Sequence, residues 1–546
     1  MSEPDPLLSL RARRRLLVAL GFGAANVAVG SAIGFRPQVG PDDPSTTRMV
    51  DLAESLDIRP PPAMAGAAPE PPPGHRFARV ITGGRVIDPD SGYDAVANVG
   101  IDGGVITAIT TEPIRGEAAI DATGLVVAPG FIDLLSYEPN PFGIWYKLSD
   151  GVTTNLAMHG VSNYAPAFFD RYRNTSPIHF GGAFHQHFMR AIEFGIDVDD
   201  ELSPEQLTAF DDLVRSSLRS GFAGVSFSPE YSPGTSTDEL LRLASTAVEL
   251  GQVAFFHARH SDPNPPGTSD EAVDEILDVA RRTGASVHIE HLTSTGGTFR
   301  MAEVLDRLDA ARDDGVDVTA CLYPYDFWGT FLASARFAAG WQDRYGLTFE
   351  DLQVAGSEER LTAATYDAAL ADNKLVAAMG SIPEDEVRLA LQRPWTIVAS
   401  DAILQSELNN HPRAAGTFAR TLGRYVRELG VLDLPSALAK MTILPARRVE
   451  AMLPAMATKG RLQRGADADL VVFDPDTIID RATVAAPKQP SVGIRWVLVD
   501  GEMALADGLP VRSFRGGRAL QGSAFDEDAV AVEGDAPTPE ALTSPD

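Results

Sequence analysis

Residues 222–292 contain FAGVSFSPE (222–230), TDELLRLASTAVELG (237–251), VAFFHAR (253–259), DEAVDEILDVARRTG (270–284) and SVHIEHL (286–292). The first, third and fifth pieces are short apolar runs that finish in ionisable residues. The second and fourth repeat apolar residues every three or four positions and stop at glycine, which is the pattern of amphipathic helices. Strands separated by helices rather than by tight turns read as parallel strands with crossover connections. The same reading extends in both directions. LVVAPGFID, GVTTNLAMH and PIHFGGAFH lie upstream, and DVTACLYPY and WTIVASDA downstream. Eight strand-helix units predict a closed (β/α)8 TIM-type barrel over 128–450. No Gly-x-Gly-x-x-Gly follows a first strand, which weighs against a doubly wound open sheet.

The flanks differ from this middle. RVITGGRVIDPDSG (79–92) and DAVANVGIDGGVITAI (94–109) are β-rich runs broken by Gly and Asp-Gly turns, and ADLVVFDP and GIRWVLVDGEMAL repeat the pattern late in the chain. Segments 77–127 and 451–515 are therefore expected to pair into one small composite β-sandwich domain. Residues 36–76 are rich in Pro and Ala and read as a linker. Residues 516–546 read as an acidic disordered tail.

At the N-terminus, Arg11, Arg13, Arg14 and Arg15 precede an apolar run from Leu16 to Phe35. Residues 1–35 are expected to be an export signal, with Arg13-Arg14 as a loose twin-arginine pair, or a membrane anchor. Either places the protein outside the cytoplasm. The net charge is −29 and the pI about 4.7. A surface that acidic repels phosphate backbones and excludes nucleic acid as a partner. The single cysteine, Cys321, rules out a disulfide framework, and its apolar surroundings predict a buried inert thiol.

Barrel enzymes carry their chemistry at the C-terminal ends of the strands. His159 ends the second strand here, His185 the third with His187 two residues on, His257 the fifth, His291 the sixth and Asp401 the eighth. Five of the ten histidines at such ends predict a metal site rather than packing. Imidazoles with a carboxylate suit zinc, which lowers the pKa of bound water to about 7. Asp401 suits the proton transfer that must accompany attack by that water.

The motifs APGFID (128–133), DGVTT (150–154), GVSFSPEYSPGTSTDEL (224–240), YPYDFWGTFL (323–332), HPRAAGTF (411–418), KMTILPARRVE (440–450) and GADADLVVFDP (465–475) are similar to those of the amidohydrolase superfamily. Within it the chain resembles the N-acyl-D-amino-acid deacylases. The resemblance implies a metal-dependent hydrolase of a linear amide, an N-acyl-(D-)amino acid, with a small carboxylate-bearing substrate. It maps metal ligands onto His159 (a cysteine in the family), His257, His291 and Asp401. Arg413, Tyr231 and Arg259 map as contacts to the substrate carboxylate. Strand one departs from the family: the expected His-x-His is Leu135 and Tyr137, and a lysine common after the sixth-strand histidine is Thr293. One zinc per chain is therefore expected instead of two. Tyr137 and His185 are then candidate substrate contacts, and His185, His187 or Glu138 could compensate as ligands. A cyclic-amide or dipeptide hydrolase of the same superfamily, or a catalytically dead binding protein, remain the alternatives.

Overall fold

The computed structural model describes residues 60–527, apart from 263, 266 and 408. Five strands come first: β1 (Arg76–Asp88), β2 (Tyr93–Asp102), β3 (Val105–Thr110), β4 (Arg115–Asp121) and β5 (Val126–Pro129). The barrel strands follow as β6 (Phe131–Asp133), β7 (Val152–Val161), β8 (His179–His185), β9 (Val225–Phe227), β10 (Ala254–Phe256), β11 (Val287–Ile289) and β12 (Val318–Leu322). An insertion carries β13 (Trp328–Phe331), β14 (Leu352–Val354) and β15 (Leu375–Ala378). β16 (Ile397–Val398) then completes the barrel set. The chain ends in β17 (Leu470–Phe473), β18 (Ile494–Val499), β19 (Glu502–Ala506) and β20 (Leu509–Pro510).

β6 through β12 and β16 form one eight-stranded sheet in the order β16-β12-β11-β10-β9-β8-β7-β6, in which neighbouring strands pair parallel. All eight strands expected from the sequence are in it. Side chains and single backbone bonds bridge its two edges. Asp401 N donates to Leu135 O at 2.8 Å. Ser400 N and Oγ donate to the two oxygens of Asp133 at 3.0 and 2.6 Å. Lys147, fully buried, donates to Asp133 at 2.5 Å and also to Ser400.

The outer helices form where local signals agree. Ser236 Oγ accepts from Glu239 N at the start of the helix Thr237–Glu249. Thr268 and Glu271 make a capping box before Ser269–Thr283, which Gly284 ends in the left-handed conformation at φ 75°. Alternate strand residues separate into two cores, as a pleated strand requires. Val225, Phe227, Phe256 and Ile289 share one with the helix residues Leu240 and Ile276. Ile132, Leu156, Phe255, Cys321 and Ile397 form another with Met452 and Leu453.

The flanks join in a nine-stranded sheet, in which β17 pairs antiparallel with β5 and β5 parallel with β1. A separate apolar cluster from both flanks fills it, including Ile81, Val99, Leu470 and Leu498. The sequence run LVVAPGFID divides at Gly130, with β5 in this sheet and β6 in the barrel. A Cβ at Gly130 would lie 2.3 Å from the Thr153 side chain, so only glycine passes there.

Three expectations need correction or restriction. The three-stranded antiparallel sheet β13-β15-β14 was not anticipated. The tail starts later than 516, because Leu520 is buried, its N–H donates to Phe180 O at 2.7 Å, and Ala519 bridges Phe180. An apolar residue with an edge to bind ordered this stretch despite its Gly-rich context. Part of the linker is also fixed, through Met64 N to Arg464 O at 2.9 Å. Among the described residues no helix is long and apolar enough to cross a membrane, and the run Leu16–Phe35 lies outside them.

Candidate metal centre

The strand ends bring four ligand-type side chains into one buried group. One donor atom from each of His159, His257, Glu290 and His291 lies within 4.8 Å of the others. The rings of His257 and His291 are 4.6 Å apart, and His159 stands 5.8 and 6.0 Å from them. His291 and Asp401 both adopt positive φ, 26° and 50°. Non-glycine residues held in this sparsely populated region gather at functional sites.

Carboxylates fix which imidazole nitrogen carries the lone pair. His159 Nδ1 is 2.5 Å from Glu290 Oε2, and Glu290 Oε1 also accepts from Ser226 Oγ at 3.1 Å. The contact places the His159 proton on Nδ1, between the ring and Glu290. His257 Nε2 is 2.6 Å from Glu230 Oε2, which leaves the buried Nδ1 as its lone-pair nitrogen. An orienting carboxylate behind a ligating histidine is the usual support of a metal site. Glu230 is itself held by Ser261 Oγ at 2.7 Å, Tyr345 OH at 3.3 Å and Arg336 Nε at 3.2 Å. Arg336 and Tyr345 come from the insertion, and the Arg336 guanidinium lies 4.4 Å over the Trp328 ring. Burial alone would raise the Glu230 carboxyl; Arg336, His257 and Ser261 outweigh it and pull it down to about 2.

Asp401 stands beside this group, its Oδ2 4.0 Å from His291 Nε2. Arg413 Nη2 donates to the same oxygen at 2.7 Å, and Tyr137 OH donates to Oδ1 at 3.4 Å. The Arg413 guanidinium lies 3.6 Å over the Tyr323 ring, while its Nε and Nη1 are buried without a hydrogen-bond partner among the described residues. Burial raises the Asp401 carboxyl, and Arg413 and His159 oppose that rise.

The other expected residues divide. Tyr231 is in the site, its ring 4.7 Å from His257. His185 lies 5.8 Å from His159, ring to ring, and His187 lies 5.8 Å from His185. Burial, then His159 and the other imidazoles, keeps His185 well below the usual histidine range, and burial, then Arg190, lowers His187 to about 4. Arg259 is turned to structure: Nε meets both oxygens of Glu275 at 3.1 and 3.0 Å, and its fork caps Pro233 O and Thr235 O. A guanidinium with its donors so used is not placed for a substrate. Glu138 accepts from Ser162 N and Tyr172 OH and is not one of the grouped ligand residues. Glu230 and Glu290 were missed, although each sits next to a residue singled out, Tyr231 and His291.

A second group, His179, Asp469 and Asp500, has ligand-like spacing but the wrong chemistry. Arg518 N donates to His179 Nδ1 at 3.0 Å, so Nε2 must carry the proton toward Asp469 Oδ1 at 3.1 Å. Lys459 Nζ supplies the cation, 2.6 Å from Asp469 Oδ2.

The family pattern described as "Amidohydrolase family" matches residues 185–504. The N-acyl-D-glutamate deacylase of Alcaligenes xylosoxydans xylosoxydans is 33% identical over 480 residues, 81% of this chain and 96% of its own. The chain belongs to the amidohydrolase family. An N-acyl-D-glutamate deacylase structure from Bordetella bronchiseptica, complexed with zinc and a phosphonate inhibitor, is similar to this amidohydrolase with a TM-score of 0.70. Its identity is 29%, covering 82% of this chain and 100% of that one. A D-aminoacylase structure, described by its binuclear metal centre with one-metal activation and second-metal attenuation, has a TM-score of 0.71 at 25% identity with the same coverage. The buried three-histidine group fits a metal ion: His159 and His257 are each held by a carboxylate, and Nδ1 of His257 and of His291 is buried without a hydrogen-bond partner among the described residues.

Proposed function

We propose that this amidohydrolase cleaves the linear amide bond of an N-acyl-D-amino acid with one zinc ion per chain. The observation that carries this reading is the group of three histidines with Asp401 beside it. His159, His257 and His291 would hold the ion. An ion held by them would supply Lewis-acid polarisation of the scissile carbonyl and a lowered pKa for water.

The chain's own residues supply the rest. Asp401 takes a proton from the attacking water and delivers it to the leaving nitrogen. Burial favours its protonated form, and Arg413 opposes that. Arg413, with Nε and Nη1 unengaged, offers N–H donors and a positive charge to the α-carboxylate of the substrate. Tyr137 occupies a position where the family has a histidine, and its hydroxyl steadies Asp401. Leucine at 135 has no donor atom, and with Glu138 engaged elsewhere a second ion lacks strand-one ligands.

The test is metal analysis of purified protein followed by a screen of N-acetyl-D- and N-acetyl-L-amino acids. About one zinc equivalent and D-selective release of acetate are expected. Two tightly bound equivalents would overturn the single-ion assignment, and turnover of cyclic amides in place of linear ones would overturn the substrate class.

A further inference from the structure

His185 and His187 stand outside the group of ligand atoms, yet the structure makes room for them beside it. Gly160 has φ 116°, and a Cβ there would lie 2.5 Å from the His185 ring. His185 is 4% exposed, and neither ring nitrogen has a hydrogen-bond partner among the described residues. Nδ1 of His187 is buried in the same condition, and its ring is 6.1 Å from Tyr231. A neutral imidazole has one donor and one acceptor, and a buried pair left unsatisfied is costly.

The same residues open a helix. His185 is the N-cap of Gln186–Phe194, with no side-chain cap and no acid in the first turn. An uncapped helix start presents backbone N–H groups and the positive end of the helix dipole to an anion. The nearby acids face other groups: Glu230 meets His257 and Arg336, and Glu239 meets Arg190 and Gln186 through Oε1, while its Oε2 has no hydrogen-bond partner among the described residues. The wall formed by His185, His187 and the helix start thus brings donors and has no acid in its first turn. Arg413, the other anion-binding group, is at Asp401.

We propose that His185, His187 and this helix start form a second carboxylate subsite, which takes the side-chain carboxylate of an acidic N-acyl-D-amino acid. The assignment rests on the deacylase reading above and narrows its substrate to a dicarboxylate of the glutamate or aspartate type. The α-carboxylate goes to Arg413 and the side-chain carboxylate to the imidazole pair.

The test compares N-acetyl-D-glutamate with the isosteric N-acetyl-D-glutamine in wild type, His185→Phe and His187→Phe. Wild type is expected to favour glutamate in kcat/KM by about tenfold or more, the worth of one charge-assisted hydrogen bond. In each variant that ratio should fall toward one, through KM rather than kcat, with zinc content unchanged. Calorimetric titration of metal-free protein with glutarate should show binding that weakens by a similar factor in both variants. Equal use of glutamate and glutamine by wild type, or equal losses on both substrates in the variants, would overturn the subsite. Loss of a zinc equivalent in either variant would overturn it too, by making the pair metal ligands. If wild type hydrolyses no N-acyl-D-amino acid, the deacylase reading fails, and the glutarate titration alone decides the subsite.

Discussion

Glu230→Gln is the perturbation that most directly probes how the centre is held. The carboxylate accepts from His257, Ser261 and Tyr345 and faces Arg336. The amide keeps the shape and one acceptor oxygen but loses the charge. A hydrogen bond to a charged group is worth about 1.5–3 kcal/mol and a neutral one about 1 kcal/mol, a difference of about 1–2 kcal/mol on His257. That corresponds to a zinc dissociation constant raised about 5- to 30-fold, in keeping with the 10- to 100-fold typical of lost orienting partners. Chelator competition measures the constant directly. A change of less than about twofold in a folded variant would refute the view that Glu230 sets the His257 tautomer.

The same substitution makes a pH prediction for the metal-free protein. The Glu230 carboxyl lies at about 2 in the fold against an ordinary 4.5. A lowered carboxyl adds stability above its unfolded value and loses it as pH falls through the folded one. The melting-temperature gap between wild type and variant should therefore be full above pH 5 and shrink from about 4.5 toward 2. A gap that widens with acid would contradict the ion pair with Arg336.

Asp401→Asn should retain the metal and lose turnover about a hundredfold or more, because an amide cannot accept the proton; near-normal rates would assign the transfer to another group. Replacing Arg13 and Arg14 with lysine should block export through the twin-arginine route, read by cell fractionation. Unchanged export would point to the general secretory route or an uncleaved anchor.

The barrel was legible because short apolar runs, several with a ligand-type terminus, alternate with amphipathic helical stretches. Ser236 and Thr268 cap helices whose apolar spacing was plain in the sequence. The insertion was not legible, since WGTF, LQV and LVAA are too short and too little alternating to stand out. His159, His257 and His291 were found by position, whereas the orienting carboxylates depend on distances across the fold. Glu290 meets His159 across 131 residues, and nothing in VHIEHL marks which of its polar residues faces inward. Arg259 and Arg413 looked alike as carboxylate binders. Only three-dimensional placement separates the one saturated by Glu275 from the one with donors to spare.

The hold of Arg336 and Tyr345 on Glu230 makes ion binding and docking of the segment around β13–β15 linked equilibria. Any excursion that lifts this segment loosens Glu230, and His257 with it. An ion that binds only the docked form stabilises it by RT ln(1 + [L]/Kd), about 2.7 kcal/mol at a hundredfold excess over Kd. Amide protons in β13–β15, far in sequence from every histidine of the centre, would then exchange more slowly as zinc is titrated in. The insertion would serve as a gauge of occupancy that touches no ligand directly.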